Sequence, residues 1–227
     1  MTSKRYKKIA EKVDKTKIYP IAEAIKLLKE LASAKFDETV EAHIRLGVDA
    51  KKSDQGVRGM VTLPHGIGKS KRVAAFAENL KAEEAKSAGA DIVGGEDLIN
   101  EIKQKGKTDF DVAVATPDIM KKMAPIAKIL GPKGLMPSPK TETVTMDIAK
   151  AVKELKGGRI EFRSDNAGNV HLSIGKVSFD IEKLKENYEE FMGVLKNSRP
   201  ASAKGDFIKS VFLSSTMGPS IRINPRA

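Results

Sequence analysis

The sequence predicts an α/β fold in two domains: an α+β domain with a half-buried sheet and, inserted into it, a smaller α/β domain with a parallel sheet. Three observations point there. Segments near both ends of the 227-residue chain alternate apolar and polar residues with period two, as strands with one wet face do. The middle instead carries short, almost continuous apolar runs separated by helix-compatible stretches, the pattern of strands buried on both faces. Glycines stand where one texture gives way to the other, at Gly66 and Gly68 and again at Gly157 and Gly158.

Taken in order, Ser3 to Lys17 holds seven basic and two acidic residues and reads as a basic arm, flexible or helical. Pro20 suits a first helical turn, and Ile21, Ala24, Ile25, Leu28, Leu31 and Ala32 follow at helical spacing. Val40, Ala42, Ile44, Leu46 and Val48 then alternate with Thr39, Glu41, His43 and Arg45, which predicts a strand. Ala50–Gln55 is a polar turn, and Val57, Gly59, Val61 and Leu63 form one side of a second strand. The middle strands are expected at Val73–Ala77, Ile92–Val93 and Phe110–Ala115. Helical stretches separate them at Ala82–Ser87, Asp97–Gln104, Pro117–Leu130 and Asp147–Leu155. Half-buried strands return with Ile160 and Phe162, then Val170, Leu172 and Ile174, around the hairpin-turn chemistry of Asp165-Asn166-Ala167-Gly168. A helix carrying Ile181, Leu184, Tyr188, Phe191, Met192 and Leu195 and an apolar run, Phe207–Leu213, complete the series.

The same strand style therefore brackets a differently built middle. A discontinuous domain of residues 1–66 plus 159–227 is expected, with 67–158 inserted at the two glycine-bearing crossings, which would serve as a hinge. Charge follows this division. The outer pieces carry 25 basic and 17 acidic residues against 16 and 13 in the middle, so most of the net +11 lies on the bracketing domain. A chain this basic is expected to meet a polyanion, and nucleic acid is the commonest one in the cytosol. Aromatic residues make up only 5%, with no Trp, which argues against broad base-stacking platforms.

Other classes are excluded or weakened. No run approaches the ~18 apolar residues of a membrane helix, and the opening residues do not form a secretory signal. The absence of cysteine excludes disulfides, thiolate metal sites and thiol nucleophiles, and suits a reducing compartment. Gly66-Ile67-Gly68-Lys69-Ser70 imitates the end of a phosphate-binding loop, but position 63 is Leu rather than Gly and strand-like residues follow where a helix is needed. A nucleotide-binding enzyme using the middle domain is the competing class, and a protein-binding adaptor a third. The three histidines lack metal-ligand spacing, and the carboxylates of Asp180–Glu190 lie among lysines at helical spacing. No catalytic set, no metal, no cofactor and no small-molecule substrate is expected. Two loops are unusual for plain scaffolding: Leu130-Gly131-Pro132-Lys133-Gly134-Leu135-Met136-Pro137, and Ser214-Ser215-Thr216-Met217-Gly218-Pro219-Ser220. In the second, small hydroxyls and Gly permit close approach to phosphate and ribose 2′-OH groups.

Four stretches, "LGVDAKKSDQGVRGMVTLPHGIGK" (46–69), "ILGPKGLMPSPKTETV" (129–144), "HLSIGKVSF" (171–179) and "SSTMGPS" (214–220), resemble the bacterial form of the L-one family of large-subunit ribosomal proteins. The resemblance runs in order through essentially the whole chain. It implies that the domain made from both chain ends binds large-subunit (23S) rRNA directly, forming the mobile stalk beside the tRNA exit site. It implies that the inserted domain is Rossmann-like and joined by a two-strand hinge. The implied partners are the large ribosomal subunit, its rRNA stalk, E-site tRNA on release and, in a translational repressor role, the protein's own operon mRNA. No membrane is involved, and the place is the cytoplasmic ribosome. Carried over by position, the RNA-binding set is Lys35, Phe36, Thr39, His171, Ser210, Thr216, Met217 and Gly218. By residue type alone, Phe36 reads as core and His43 and His171 as solvated.

Overall fold

The structure, a computed structural model, describes residues 4–49, 52, 55–78 and 80–225. Ser3 of the expected arm, and positions 50, 51, 53 and 54 of the expected turn, lie outside them. The chain opens with helices α1 (Lys4–Ala10) and α2 (Ile21–Leu31) and strands β1 (Thr39–Leu46), β2 (Arg58–Thr62) and β3 (Val73–Phe76). Helix α3 (Leu80–Ser87), strand β4 (Ile92–Gly94), helix α4 (Glu96–Lys105) and strand β5 (Val112–Ala115) follow. Next come helices α5 (Pro117–Lys122), α6 (Ala127–Leu130) and α7 (Ile148–Lys156) and strands β6 (Arg159–Arg163) and β7 (Asn169–Lys176). Helix α8 (Ile181–Asn197) and strands β8 (Ile208–Ser215) and β9 (Ile221–Ile223) end the series. The fold is thus mixed α/β, and no helix of the described residues is long and apolar enough to cross a membrane. Two compact units emerge, Met1–Gly68 with Ile160–Ala227, and Lys69–Arg159.

In the first unit four strands pair antiparallel in the order β7-β1-β8-β9. Alternation becomes register here. Ala42 stands between Leu172 and Leu213, and Ile44 between Val170 and Val211, all on one buried face. That face packs on α2 and α8, whose inward residues recur at helical spacing, among them Ala24, Ile25 and Leu28, and Leu184, Tyr188 and Phe191. Strands β2 and β6 form a separate two-stranded sheet, joined to the same core through Phe162, whose ring meets Phe191 edge-on at 5.5 Å. Asn187, fully buried on α8, donates to the carbonyls of Gly66 and Ile174 and accepts from the His65 amide at 3.1 Å. That satisfied amide fixes the course of the chain leaving β2.

In the second unit β3 lies between β4 and β5, parallel to both. Every residue of β3 is buried, because α4, α5 and α6 cover one face of this sheet and α3 and α7 the other. The expected helical stretch Pro117–Leu130 is broken into α5, a 3-10 turn at Ala124–Ile126 and α6. Pro125 has no amide to continue the ladder, so the helix stops ahead of it. The Gly131–Pro137 loop folds back, with Leu135 and Met136 packed on the core and the Lys133 ammonium on the Thr108 hydroxyl at 3.0 Å.

Tyr188 is 1% exposed, and among the described residues its hydroxyl has no hydrogen-bond partner. Burial pushes its pKa up to about 12. Removing an unsatisfied buried hydroxyl relieves its desolvation, so Tyr188→Phe is expected to raise stability by about 1 kcal/mol in a urea titration.

Candidate nucleic-acid interface

The face of the four-stranded sheet that the helices leave open carries the chemistry. Thr39, Glu41, His43 and Arg45 of β1 point outward. Register sets Glu41 beside Ser173 and Ser214, His43 beside His171 and Phe212, and Arg45 beside Asn169 and Ser210. Period two thus gathers polar side chains from three strands onto one surface. His171 and Ser210 lie within it. Lys35, Phe36, Thr39, Thr216, Met217 and Gly218 collect at one end, where the segment entering β1 meets the loop leaving β8.

A buried carboxylate builds that end. Glu38 is 2% exposed; its Oε2 accepts from the Ser215 hydroxyl at 2.6 Å and the Met217 amide at 2.9 Å, and its Oε1 from the Ala34 amide at 3.1 Å. Burial pushes the carboxyl up, but these three donors, aided by the charge of Arg5, outweigh it and hold the group below its ordinary value. Beside this clamp the Thr39 amide donates to the Thr216 hydroxyl at 2.9 Å, and the Thr216 amide donates to the Thr39 carbonyl at 3.0 Å. Lys176 donates to the Thr39 hydroxyl at 2.9 Å and the Asp37 carbonyl at 3.2 Å. Gly218 sits so close that a Cβ would collide with the Ser215 hydroxyl oxygen. The hydroxyls of Thr39 and Thr216 are therefore partly engaged within the protein, while two apolar side chains are left facing outward: Phe36 is 56% exposed and Met217 47%. Phe36 is not core. From α1, Arg5 reaches the Ser33 hydroxyl at 3.0 Å and lies 3.5 Å from the Met217 carbonyl, so the basic arm borders this end.

The histidines are paired rather than merely solvated. His43 Nδ1 and His171 Nδ1 are 2.8 Å apart, and His43 Nε2 is 2.9 Å from the Ser214 hydroxyl. A bond between two Nδ1 atoms needs one donor and one acceptor, so the contact tolerates at most one imidazolium. Burial, then the charge on His171, depress the His43 pKa, with Glu41 opposing them. Asp165 Oδ2 lies 3.6 Å from His171 Nε2. Its other oxygen, Oδ1, accepts the Ala167 and Asn169 amides of the hairpin turn.

The remaining expected positions are distributed as follows. Gly66, Gly68 and Gly158 adopt positive φ of 61°, 69° and 109°, which only glycine holds without strain; Gly157, at φ −74°, ends α7. The phosphate-loop imitation at Gly66–Ser70 leads into β3 without a helix, so it lacks the dipole and amides that would hold a nucleotide. Among the described residues no group of three or more His, Asp or Glu could hold a metal ion. Glu38 escaped the reading of the sequence, although its parity with Val40 and Ala42 already placed a carboxylate on the buried side.

With this geometry in view, comparison with known proteins is informative. Residues 28–219 match the model of the ribosomal protein L1p/L10e family. The large ribosomal subunit protein uL1 of Thermobifida fusca (strain YX) is 56% identical over 225 residues, covering 99% of this chain and 95% of that protein. The protein of the same name from Thermosipho melanesiensis is 55% identical over 223 residues, covering 98% and 96%.

Two outcomes follow from the clamp and the histidine pair. Glu38→Gln places an amide where three donors converge, and losing charge-assisted bonds is expected to cost roughly 1.5–3 kcal/mol in chemical denaturation. For His43, the unfolded chain binds more protons than the folded one between the depressed folded pKa and its ordinary value of 6.5. Stability therefore falls as pH drops through that window. Thermal melts at pH 7 and pH 5 are expected to show a smaller loss in His43→Gln than in the parent chain.

Proposed function

We propose that this chain, which belongs to the ribosomal protein L1p/L10e family and is a non-enzymatic structural constituent of the large ribosomal subunit, grips large-subunit rRNA directly through the open face of its four-stranded sheet. Its place is the cytoplasmic ribosome. One observation carries the RNA reading: Phe36 and Met217 stand exposed on backbone that a buried carboxylate has locked. An exposed aromatic on a rigid support offers a π-face to a splayed base or a ribose, and its position is set before binding. Lys35 and Arg5 beside it meet phosphates, and their counterion release gives affinity with little selectivity. Thr216, Met217 and Gly218 bring backbone within reach of 2′-OH groups, while His171 and Ser210 extend the same surface along the sheet.

The finer parts of the reading rest on the family. The unit made from both chain ends would be the principal RNA-binding domain, and the unit between would swing on Gly66, Gly68, Gly157 and Gly158. Assembled on the rRNA stalk, the protein would take part in release of tRNA from the E site. The same face would bind a copy of the rRNA site in the protein's own operon mRNA and so repress its translation.

Phe36→Ala tests the site without disturbing the fold, because that side chain is mostly in water. Filter binding is expected to show roughly 1–3 kcal/mol weaker binding to stalk rRNA, with little loss on an unrelated structured RNA and an unchanged melting temperature. Equal losses on both RNAs would sink the site.

A further inference from the structure

At the opposite end of the sheet, where β1 ends and β8 begins, lies a hollow of about 720 Å³. Lys196, Arg199, Lys204 and Lys209 line it, against one carboxylate, Asp206. Its floor is Gly47, where an added Cβ would collide with the Asp206 carbonyl oxygen, and whose amide donates to the Phe207 carbonyl at 2.7 Å. We propose that this hollow is a second, sequence-independent contact for an RNA phosphodiester backbone, separate from the Phe36–Met217 end.

The charges are available for that use. Among the described residues no hydrogen bond or ion pair joins the side-chain ammonium of Lys196, Lys204 or Lys209 to a partner, whereas six other lysines do pair with carboxylates. The Arg199 guanidinium is braced by the carbonyls of Ala203 and Gly205 at 2.9 and 3.0 Å through Nη2 alone, which fixes the cation and the loop together. The end of α8 would repel an anion through its free carbonyls, but here the Val194, Leu195 and Lys196 carbonyls accept the amides of Ser198 and Arg199, and the Ser198 hydroxyl also donates to Val194. The negative end is thereby muted. The lining favours a phosphate chain over an acidic peptide. A peptide interface gains most of its energy from apolar anchors in pockets, and besides Phe207, Ile208 and Pro225 this hollow is walled by charge and glycine. A phosphate backbone needs only cations and N–H groups.

Geometry makes the contact distinct. Strands β1 and β8, of eight residues each, separate the two ends by about 25 Å at about 3.3 Å per residue. A second RNA would reach the hollow without entering the first site.

The experiment uses the full chain saturated with unlabelled stalk rRNA and titrates it with a labelled RNA hairpin of unrelated sequence across a salt series, followed by anisotropy. The parent chain is expected to bind the hairpin. Combined Lys196→Gln, Lys204→Gln and Lys209→Gln, all at exposed positions, are expected to lower the slope of log K against log salt by roughly 2–3, with stalk rRNA affinity unchanged. A parent-like slope in the variant, or no hairpin binding by the saturated parent, overturns the proposal. So does displacement of the hairpin by polyglutamate as readily as by inorganic polyphosphate, which would assign the hollow to an acidic peptide. Failure of stalk rRNA to bind at all would count against the preceding function, and the hairpin slopes measured on the chain alone would still decide this one.

Discussion

The whole arrangement of the open sheet depends on one buried carboxylate. Glu38 joins the segment before β1 to residues 177 and 179 positions further along, Ser215 and Met217. A charge sealed from water is tolerated only when its oxygens are met by donors, and here neutral O–H and N–H groups meet them instead of a lysine. Those donors favour the ionised form, so the carboxylate is held charged by the geometry it creates. Remove the acid and three donors lose their acceptor at once. Head and tail of the chain are thereby made one surface, and Phe36 and Met217 inherit a fixed position on it.

Much of that surface was legible in the sequence. The alternation through β1 and β7 separated the buried residues from Thr39, His43 and His171 before any strand order was known. Glu38 shares that parity yet was not singled out, because a lone carboxylate before a strand gives no sign of the donors that will meet it. Which donors could not be read, because Ser215 and Met217 come within reach only through the order β7-β1-β8-β9, whose neighbours are not consecutive in the chain. The histidine pair was hidden for the same reason: two residues on polar faces become partners through register alone. Strand β9 is three residues long, too short for any period to show. The expected helical stretch Pro117–Leu130 ran through Pro125, where the missing amide ends the helix. Lys196, Lys204 and Lys209 look like scattered solvated charges until the turn after α8 folds them around one hollow.

The two ends of the sheet differ in what they ask of a ligand. At the Glu38 end, preformed backbone and exposed apolar side chains would, on the proposed reading, reward a matching shape and give little to a mere anion. At the far end, exposed lysines would reward negative charge of any sequence. Rigid strands hold the two ends a fixed distance apart, so under the proposed reading a folded RNA seated at the first would leave the second open to the backbone of another. Selectivity would then rest with the discriminating contact alone, and the indiscriminate one would add affinity for a second RNA.

Between these ends, on the row of the open face that continues to Phe212 and Arg222, His43 and His171 share one contact. Because its Nδ1–Nδ1 contact excludes a doubly protonated state, and burial depresses His43 further, the pair supplies hydrogen-bonding edges without a second cation. Under the proposed RNA reading the histidines and Ser214 would present hydrogen-bonding edges, while Glu38 and the clamp it forms would hold the seat at the end of the sheet.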